Sequence, residues 1–279
     1  MAHFEPKTEP PRIPPPEAES PVPGDEQLAS MSLVDHLEEL RRRILRSVVI
    51  FAVAFFVCWS FHREIFDFLK QPIEPYLPGD QKLSFFSVSE PFLLYFKTAA
   101  LAAIFLASPF LLAELWGFVS PGLYRRERKL ALPFILASTF FFLCGGAFAY
   151  FVAFPFAVEF LLGMGEEFQP VIAATQYLRF LMTVILGLGL MFELPIVLFL
   201  LSVLRVVSAR FLLRHFRWAV LLIFIAAAVI TPTPDVVNLC LFAVPTIGLY
   251  LLGVAGAWLV ERGRRKQGEA DAAAGEPAA

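Results

Sequence analysis

Glu193 is the single charged residue in Gly187-Leu188-Gly189-Leu190-Met191-Phe192-Glu193-Leu194-Pro195. A carboxylate surrounded by hydrocarbon costs about 3 kcal/mol or more unless it is hydrated, paired or protonated. Two uses fit that cost: a functional acid that wets or carries protons, or an interhelical hydrogen bond. Pro195 lacks an amide hydrogen and frees a carbonyl one turn back, so polarity concentrates there. A second acid, Glu127, lies among four bases in Ser120-Pro121-Gly122-Leu123-Tyr124-Arg125-Arg126-Glu127-Arg128-Lys129. This loop is either a solvated basic connection or a carboxylate steadied by cations, able to accept a bidentate guanidinium from a ligand.

A third group lies in Ser32-Leu33-Val34-Asp35-His36-Leu37-Glu38-Glu39-Leu40-Arg41-Arg42-Arg43. Ser32 can cap a helix, and Asp35 suits the positive end of its dipole. Leu33, Leu37, Leu40 and Ile44 make one apolar stripe, which suits a helix lying along or entering a membrane interface. Glu38 and Glu39 stand four residues before Arg42 and Arg43, so pairing along the helix competes with any ligand role. Glu114, beside Trp116, can snorkel to the interface, and Lys97 and Arg179 read as interfacial anchors. Asp235, after Pro234, reads as a helix cap.

Enzyme signatures are absent. The chain has no phosphate-binding G-x-x-x-x-G-K-[ST] loop, no H-E-x-x-H pair and no G-x-S-x-G turn. His3, His36, His62 and His215 are scattered, and Cys58, Cys144 and Cys240 each sit in apolar runs as packing residues. We therefore expect no catalytic residue, no metal and no cofactor. The net charge of -2 points to no polyanionic partner such as nucleic acid.

The elements that must position these acids are membrane spans. The chain is 58% hydrophobic and 17% charged, whereas soluble chains carry about 25% charged residues. A soluble core of this size could not hide so much apolar surface. Spans need about 20 apolar residues, and six are expected, at about 44–61, 92–118, 130–158, 177–204, 218–231 and 236–260. The fifth, about 21 Å long, falls short of about 30 Å of hydrocarbon. With the turn Thr231-Pro232-Thr233-Pro234-Asp235 it should form a short hairpin, its mismatch covered by a thinned bilayer or a partner. Four Lys or Arg residues flank each of four regions: before span one, between spans two and three, between spans four and five, and after span six. The excess places those regions and both termini in the cytoplasm. The outer loop at about 62–91, with Pro72, Pro75, Pro78 and Gly79, reads as a short interfacial helix, a turn and an extended return. Residues 1–30, with eight prolines, and residues 261–279 read as disordered cytoplasmic tails around a transmembrane domain at 31–260. The fold class is thus all-α, a polytopic membrane protein with six transmembrane helices.

Several motifs occur in a fixed order: His36-Leu37-Glu38-Glu39-Leu40-Arg41, Ser108-Pro109, Trp116-Gly117-Phe118-Val119-Ser120-Pro121-Gly122-Leu123-Tyr124-Arg125-Arg126-Glu127-Arg128, Phe148-Ala149-Tyr150-Phe151 with Phe154-Pro155, Phe192-Glu193-Leu194-Pro195, and the 231–235 turn. Together they make the chain resemble the TatC family, the receptor subunit of the twin-arginine protein translocase, over about residues 32–260. The resemblance implies a concave scaffold in the cytoplasmic (inner) membrane. It would bind signal peptides with two consecutive arginines, carried on folded cargo. It would assemble with single-span TatA and TatB type subunits and with further copies of itself, and work would come from the proton-motive force. By this resemblance Glu39 and Glu127 read the arginine pair, and Arg41 and Phe118 belong to the same surface. Pro72 matches an outer-loop proline and Pro109 one in helix two. Glu193 matches an acid on a water-accessible flank. The hairpin of helices five and six matches a docking region for a partner helix, with Thr231, Asn238 and Asp235 as its polar residues. Leu239 stands where relatives often carry glutamine, so Asn238 is the candidate replacement, and Glu114 also stands where glutamine is common. The rival reading is a proton-coupled secondary transporter using Glu193; a single acid and no clear internal repeat weigh against it.

Overall fold

Proline placement decides where the long apolar helices continue and where they break. The computed structural model describes residues 25–77, 83–119, 131–165, 167–168, 171–231, 233 and 235–274. Helix α1 runs Asp25–Ser60, α2 His62–Lys70, α3 Glu90–Val119 and α4 Ala131–Phe148. A wider helical turn, Ala149–Ala153, joins α4 to α5, Phe154–Gly163. Then follow α6 at Ala174–Met191, α7 at Leu194–Val203, α8 at Ala209–Arg214, α9 at Phe216–Ile230 and α10 at Val236–Ala274. By contacts the chain divides between Arg42 and Arg43 into two units, each described by itself. The helix α1 begins at Asp25 and α10 continues to Ala274, so each reaches into a segment that the sequence assigned to a tail. In the first unit Glu38 and Arg42 form an exposed ion pair at 3.7 Å, as their spacing predicts.

Among the described residues five stretches, against the six spans expected, are long and apolar enough to cross a membrane: Leu37–Ser60, Glu90–Phe118, Leu132–Gly163, Ala174–Val203 and Val236–Arg264. The remaining apolar helix, α9, has 15 residues, or about 22 Å of rise. That is the short helix expected between the fourth and last spans.

Pro155 and Pro195 each follow a break, because neither can donate to the turn before it. At the first break the helix widens over Ala149–Ala153. At the second, Phe192 and Glu193 leave the helix before α7 begins. Pro109 instead sits inside α3. It leaves the Phe105 carbonyl without its usual amide, and the Ser108 hydroxyl donates to that carbonyl at 2.8 Å. The Ser108 hydroxyl thus supplies the donor that Pro109 lacks, and α3 continues through the Ser-Pro pair.

The core of residues 43–274 centres on α6, where Leu181, Val184 and Leu188 are fully buried against Phe154 and Phe242. Helices α4 and α6 approach backbone to backbone. A Cβ on Gly145 would lie 2.8 Å from the Leu188 carbonyl and 2.9 Å from the Cα of Gly189, so the crossing requires glycine.

The outer loop has the expected helix and turn. Helix α2 is followed by a tight helical turn at Glu74–Tyr76, with Pro72 half-buried in the connection. The Tyr150 hydroxyl donates to the Phe68 carbonyl and the Tyr177 hydroxyl to the Leu69 carbonyl, both at 2.6 Å. The Phe68 carbonyl also accepts the Gln71 N–H at 3.2 Å, so the two tyrosines add side-chain donors at the end of α2, where the last carbonyls lack i+4 amides. The returning chain pairs at Ser84 with Ala173: Ser84 N–H donates to Ile172 at 3.0 Å, and Ala174 N–H to Ser84 at 2.8 Å. Lys70 lies between Asp67 at 3.0 Å and Glu74 at 3.5 Å. The hydrogen bond to Asp67, chiefly, holds its ammonium above the usual lysine range.

Candidate functional site

In the first unit, Glu39 of α1 is half-buried and Arg41 exposed. In the second, Phe118 is half-buried in the last turn of α3. Glu127 and the rest of 120–129 lie outside the described residues, as do Pro232 and Pro234.

Within residues 43–274, α1 and α3 meet at Glu114. Arg43 Nη1 donates to its Oε2 at 3.2 Å and to its backbone carbonyl at 3.4 Å, while Arg46 Nη1 lies 3.6 Å from Oε1. Arg43 and Arg46 are three residues apart, so they share one face of α1. Gly117 makes room, because a Cβ there would collide with the Arg43 guanidinium. Trp116 packs on Phe134 at a ring separation of 4.5 Å, which ties this end of α3 to α4. Glu114, which the sequence showed could snorkel to the interface, has two guanidiniums as partners. The two arginines on one helical face were the available signal; the helix they face was not readable.

Glu193 occupies the break between α6 and α7. The Ser138 hydroxyl of α4 donates to its Oε2 at 2.5 Å. Its Oε1 is buried and has no hydrogen-bond partner among the described residues, and the same holds for the Thr139 hydroxyl on the facing helix. Of the two uses weighed for Glu193, the interhelical hydrogen bond is present, and one carboxylate oxygen is left over. Glycine-mediated approach of α4 to α6 brings Ser138 within reach.

The third cluster is the 231–235 turn. Asp235 caps α10: its Oδ1 accepts the Asn238 backbone N–H at 2.7 Å and its Oδ2 the Asn238 side-chain amide at 2.9 Å. Asn238 also donates to the Thr233 hydroxyl at 3.3 Å. Desolvation acts to raise the Asp235 pKa, but the hydrogen bonds from Asn238 and Thr233 outweigh it and hold the carboxyl below its ordinary value. Thr231 is buried and donates to the Ala227 carbonyl at 2.7 Å, closing α9. Asn238 is fully buried. Thr231 thus bonds back to α9 and the Asn238 side chain to the turn, while Leu221, Leu222, Ile225 and Val229 of α9 are exposed.

Among the described residues no three His, Cys, Asp or Glu side chains group as metal ligands. Long apolar helices broken at prolines, with carboxylates held by guanidiniums at a span end and by a hydroxyl between helices, define a multi-pass helical membrane protein. The chain belongs to the TatC family: the family model described as Sec-independent protein translocase protein (TatC) matches residues 35–245. It is 46% identical over 254 residues to the Sec-independent protein translocase protein TatC of Koribacter versatilis, covering 90% of this chain and 94% of that relative. It is 39% identical over 250 residues to the TatC protein of Deinococcus radiodurans, covering 87% and 92%. Two solved structures match. A crystal structure of the twin-arginine translocase receptor TatC has a TM-score of 0.70 at 30% identity, covering 80% of this chain and 98% of that one. The same receptor in DDM gives 0.71 at 31% identity, covering 78% and 97%. The chain is thus a component of a Sec-independent protein translocase, a transport scaffold with apolar membrane helices.

Proposed function

We propose that this chain is the twin-arginine signal-peptide receptor and core scaffold of a translocase that exports folded proteins across the cytoplasmic membrane. In this reading Glu39 and Glu127 accept the two guanidiniums, with Arg41 and Phe118 shaping the same surface. The observation that carries it is Glu114, held by Arg43 and Arg46 one turn from Phe118. That end of α3 already sustains carboxylate–guanidinium bonds in a partly desolvated setting, which is the chemistry that reading an arginine pair requires. The scaffold is concave, both termini lie in the cytoplasm, and Glu193 wets its flank. Pro72 sets the outer loop, and Pro109 the bend of the second span.

TatA and TatB type single-span subunits dock on the hairpin of α9 and α10. The exposed apolar face of α9 supplies the surface, and Asp235, Asn238 and Thr231 brace the turn. Further copies of the chain join the same complex, and cargo movement is driven by the proton-motive force. Combining Glu39→Ala with Glu127→Ala should abolish crosslinking to a twin-arginine signal peptide while the chain still accumulates in the membrane. Undiminished crosslinking would overturn the assignment.

A further inference from the structure

At the Arg-rich end of the last span, two backbone contacts build a recess. Helix α7 ends at Val203, where the last carbonyls of a helix lack their usual i+4 amide donors. The Ser202 carbonyl accepts the Arg205 N–H at 3.1 Å, and Arg264 of α10 adds a second bond to it at 3.2 Å and donates to the Val203 carbonyl. Glu261, one turn earlier, accepts the Ala209 N–H at 2.8 Å. These bonds fasten the start of α8 and the end of α7 to α10, and between α8 and α10 lies a cavity of about 800 Å³.

Its lining includes Arg210, Leu213, Trp258, Glu261, Arg262 and Arg264. Glu261 and Arg264 are occupied by the backbone. Arg210 and Arg262 are exposed, and neither enters an ion pair among the described residues. The Arg262 guanidinium lies 5.2 Å above the Trp258 ring. Leu213 and Trp258 present apolar surface in the cavity mouth, and Leu251, Leu252 and Leu259 are exposed along α10. The site is thus a cationic mouth on an apolar strip.

We propose that this recess binds the headgroup of an anionic phospholipid. The phosphate sits between Arg210 and Arg262, and the acyl chains lie along the exposed strip of α10. Two guanidiniums can grip a phosphate through several charge-assisted bonds at once. Tryptophan favours the headgroup level, and basic pockets at the ends of spans suit anionic headgroups. A free anion would use the arginines and leave the apolar wall idle, whereas a phospholipid uses both. Bound lipid would strap α8 to α10 at the base of the α9–α10 hairpin.

The test measures the thermal stability of the full chain in detergent during titration with phosphatidylglycerol, phosphatidylcholine or inorganic phosphate. Phosphatidylglycerol should raise the melting temperature saturably, and the other two should not. Combining Arg210→Gln with Arg262→Gln should weaken the apparent phosphatidylglycerol affinity roughly 30-fold. Arg205→Gln with Arg217→Gln, which removes the same charge outside the recess, should leave the affinity unchanged. If the double variant melts abnormally without lipid, Arg210→Gln alone should still weaken affinity roughly fivefold. Equal affinity in the recess variants, equal weakening in the control pair, or an equal shift with inorganic phosphate would each overturn the proposal.

Discussion

Glu114 and Glu193 are both carboxylates on long apolar helices, and the fold treats them differently. Glu114, near the end of α3, is bracketed by Arg43 at 3.2 Å and Arg46 at 3.6 Å, with its side chain 17% exposed. Glu193, at the helix break, has one neutral donor, Ser138, and one oxygen with no partner among the described residues. At a span end, water and neighbouring cations share the cost of charge. At membrane depth that cost is about 3 kcal/mol or more, and here a broken helix and a hydroxyl offset part of it. The end is an electrostatic surface and the middle a polar spot. Asp235 shows a third arrangement, in which N–H groups of the adjoining helix hold the carboxylate.

The largest effect should come from Glu193. Leucine would remove the polar spot and strand the buried Ser138 hydroxyl, a loss of about 1–3 kcal/mol, and export of a twin-arginine reporter should fall about tenfold or more. Glutamine can still accept from Ser138 and should stay within about threefold of wild type. Equal and total loss in both variants would break the contrast and mark Glu193 as a titrating group.

A smaller effect is expected at Glu114. Alanine would leave Arg43, whose side chain is 21% exposed, without this carboxylate. A thermal-melt cycle with Arg43→Ala should give a coupling of about 1 kcal/mol, because both groups are partly screened. A coupling of zero would remove the electrostatic half of the comparison.

The smallest effect concerns Asp235. Its folded carboxyl titrates below the ordinary value, so its contribution is complete above about pH 4. It is lost as pH falls through the lower folded value, because the unfolded chain takes up the proton first. Asp235→Ala should cost about 1 kcal/mol at neutral pH, and the gap to wild type should close on acidification. A gap that does not narrow as the pH falls would exclude the charged cap as its cause.

Local spacing carried much of the fold. Apolar run lengths marked five of the six expected spans, Pro195 marked extra polarity near Glu193, and Asp235 announced its own cap. The short α9 followed from the distance between Arg217 and the prolines of the turn. Contacts between segments were not legible. Arg43 and Glu114 are 71 residues apart, and the bond from Tyr177 to Leu69 joins residues 108 apart; no helical periodicity encodes either. Ser138 looked like any small residue in an uncharged span, because its role depends on how closely Gly145 lets α4 approach α6. In the candidate site, Glu39 and Phe118 fall on the helices expected for them.

Under the proposed function, Glu39 and Glu127 read guanidinium geometry as well as positive charge. The direct measurement is binding of the purified chain to a signal peptide carrying Arg-Arg and to the same peptide carrying Lys-Lys, in wild type and in the combined Glu39→Gln, Glu127→Gln variant. Wild type should prefer Arg-Arg by about tenfold or more, since each charge-assisted bond contributes about 1.5–3 kcal/mol, and the variant should bind both peptides alike and weakly. A preference for Arg-Arg that survives in the variant would contradict the claim.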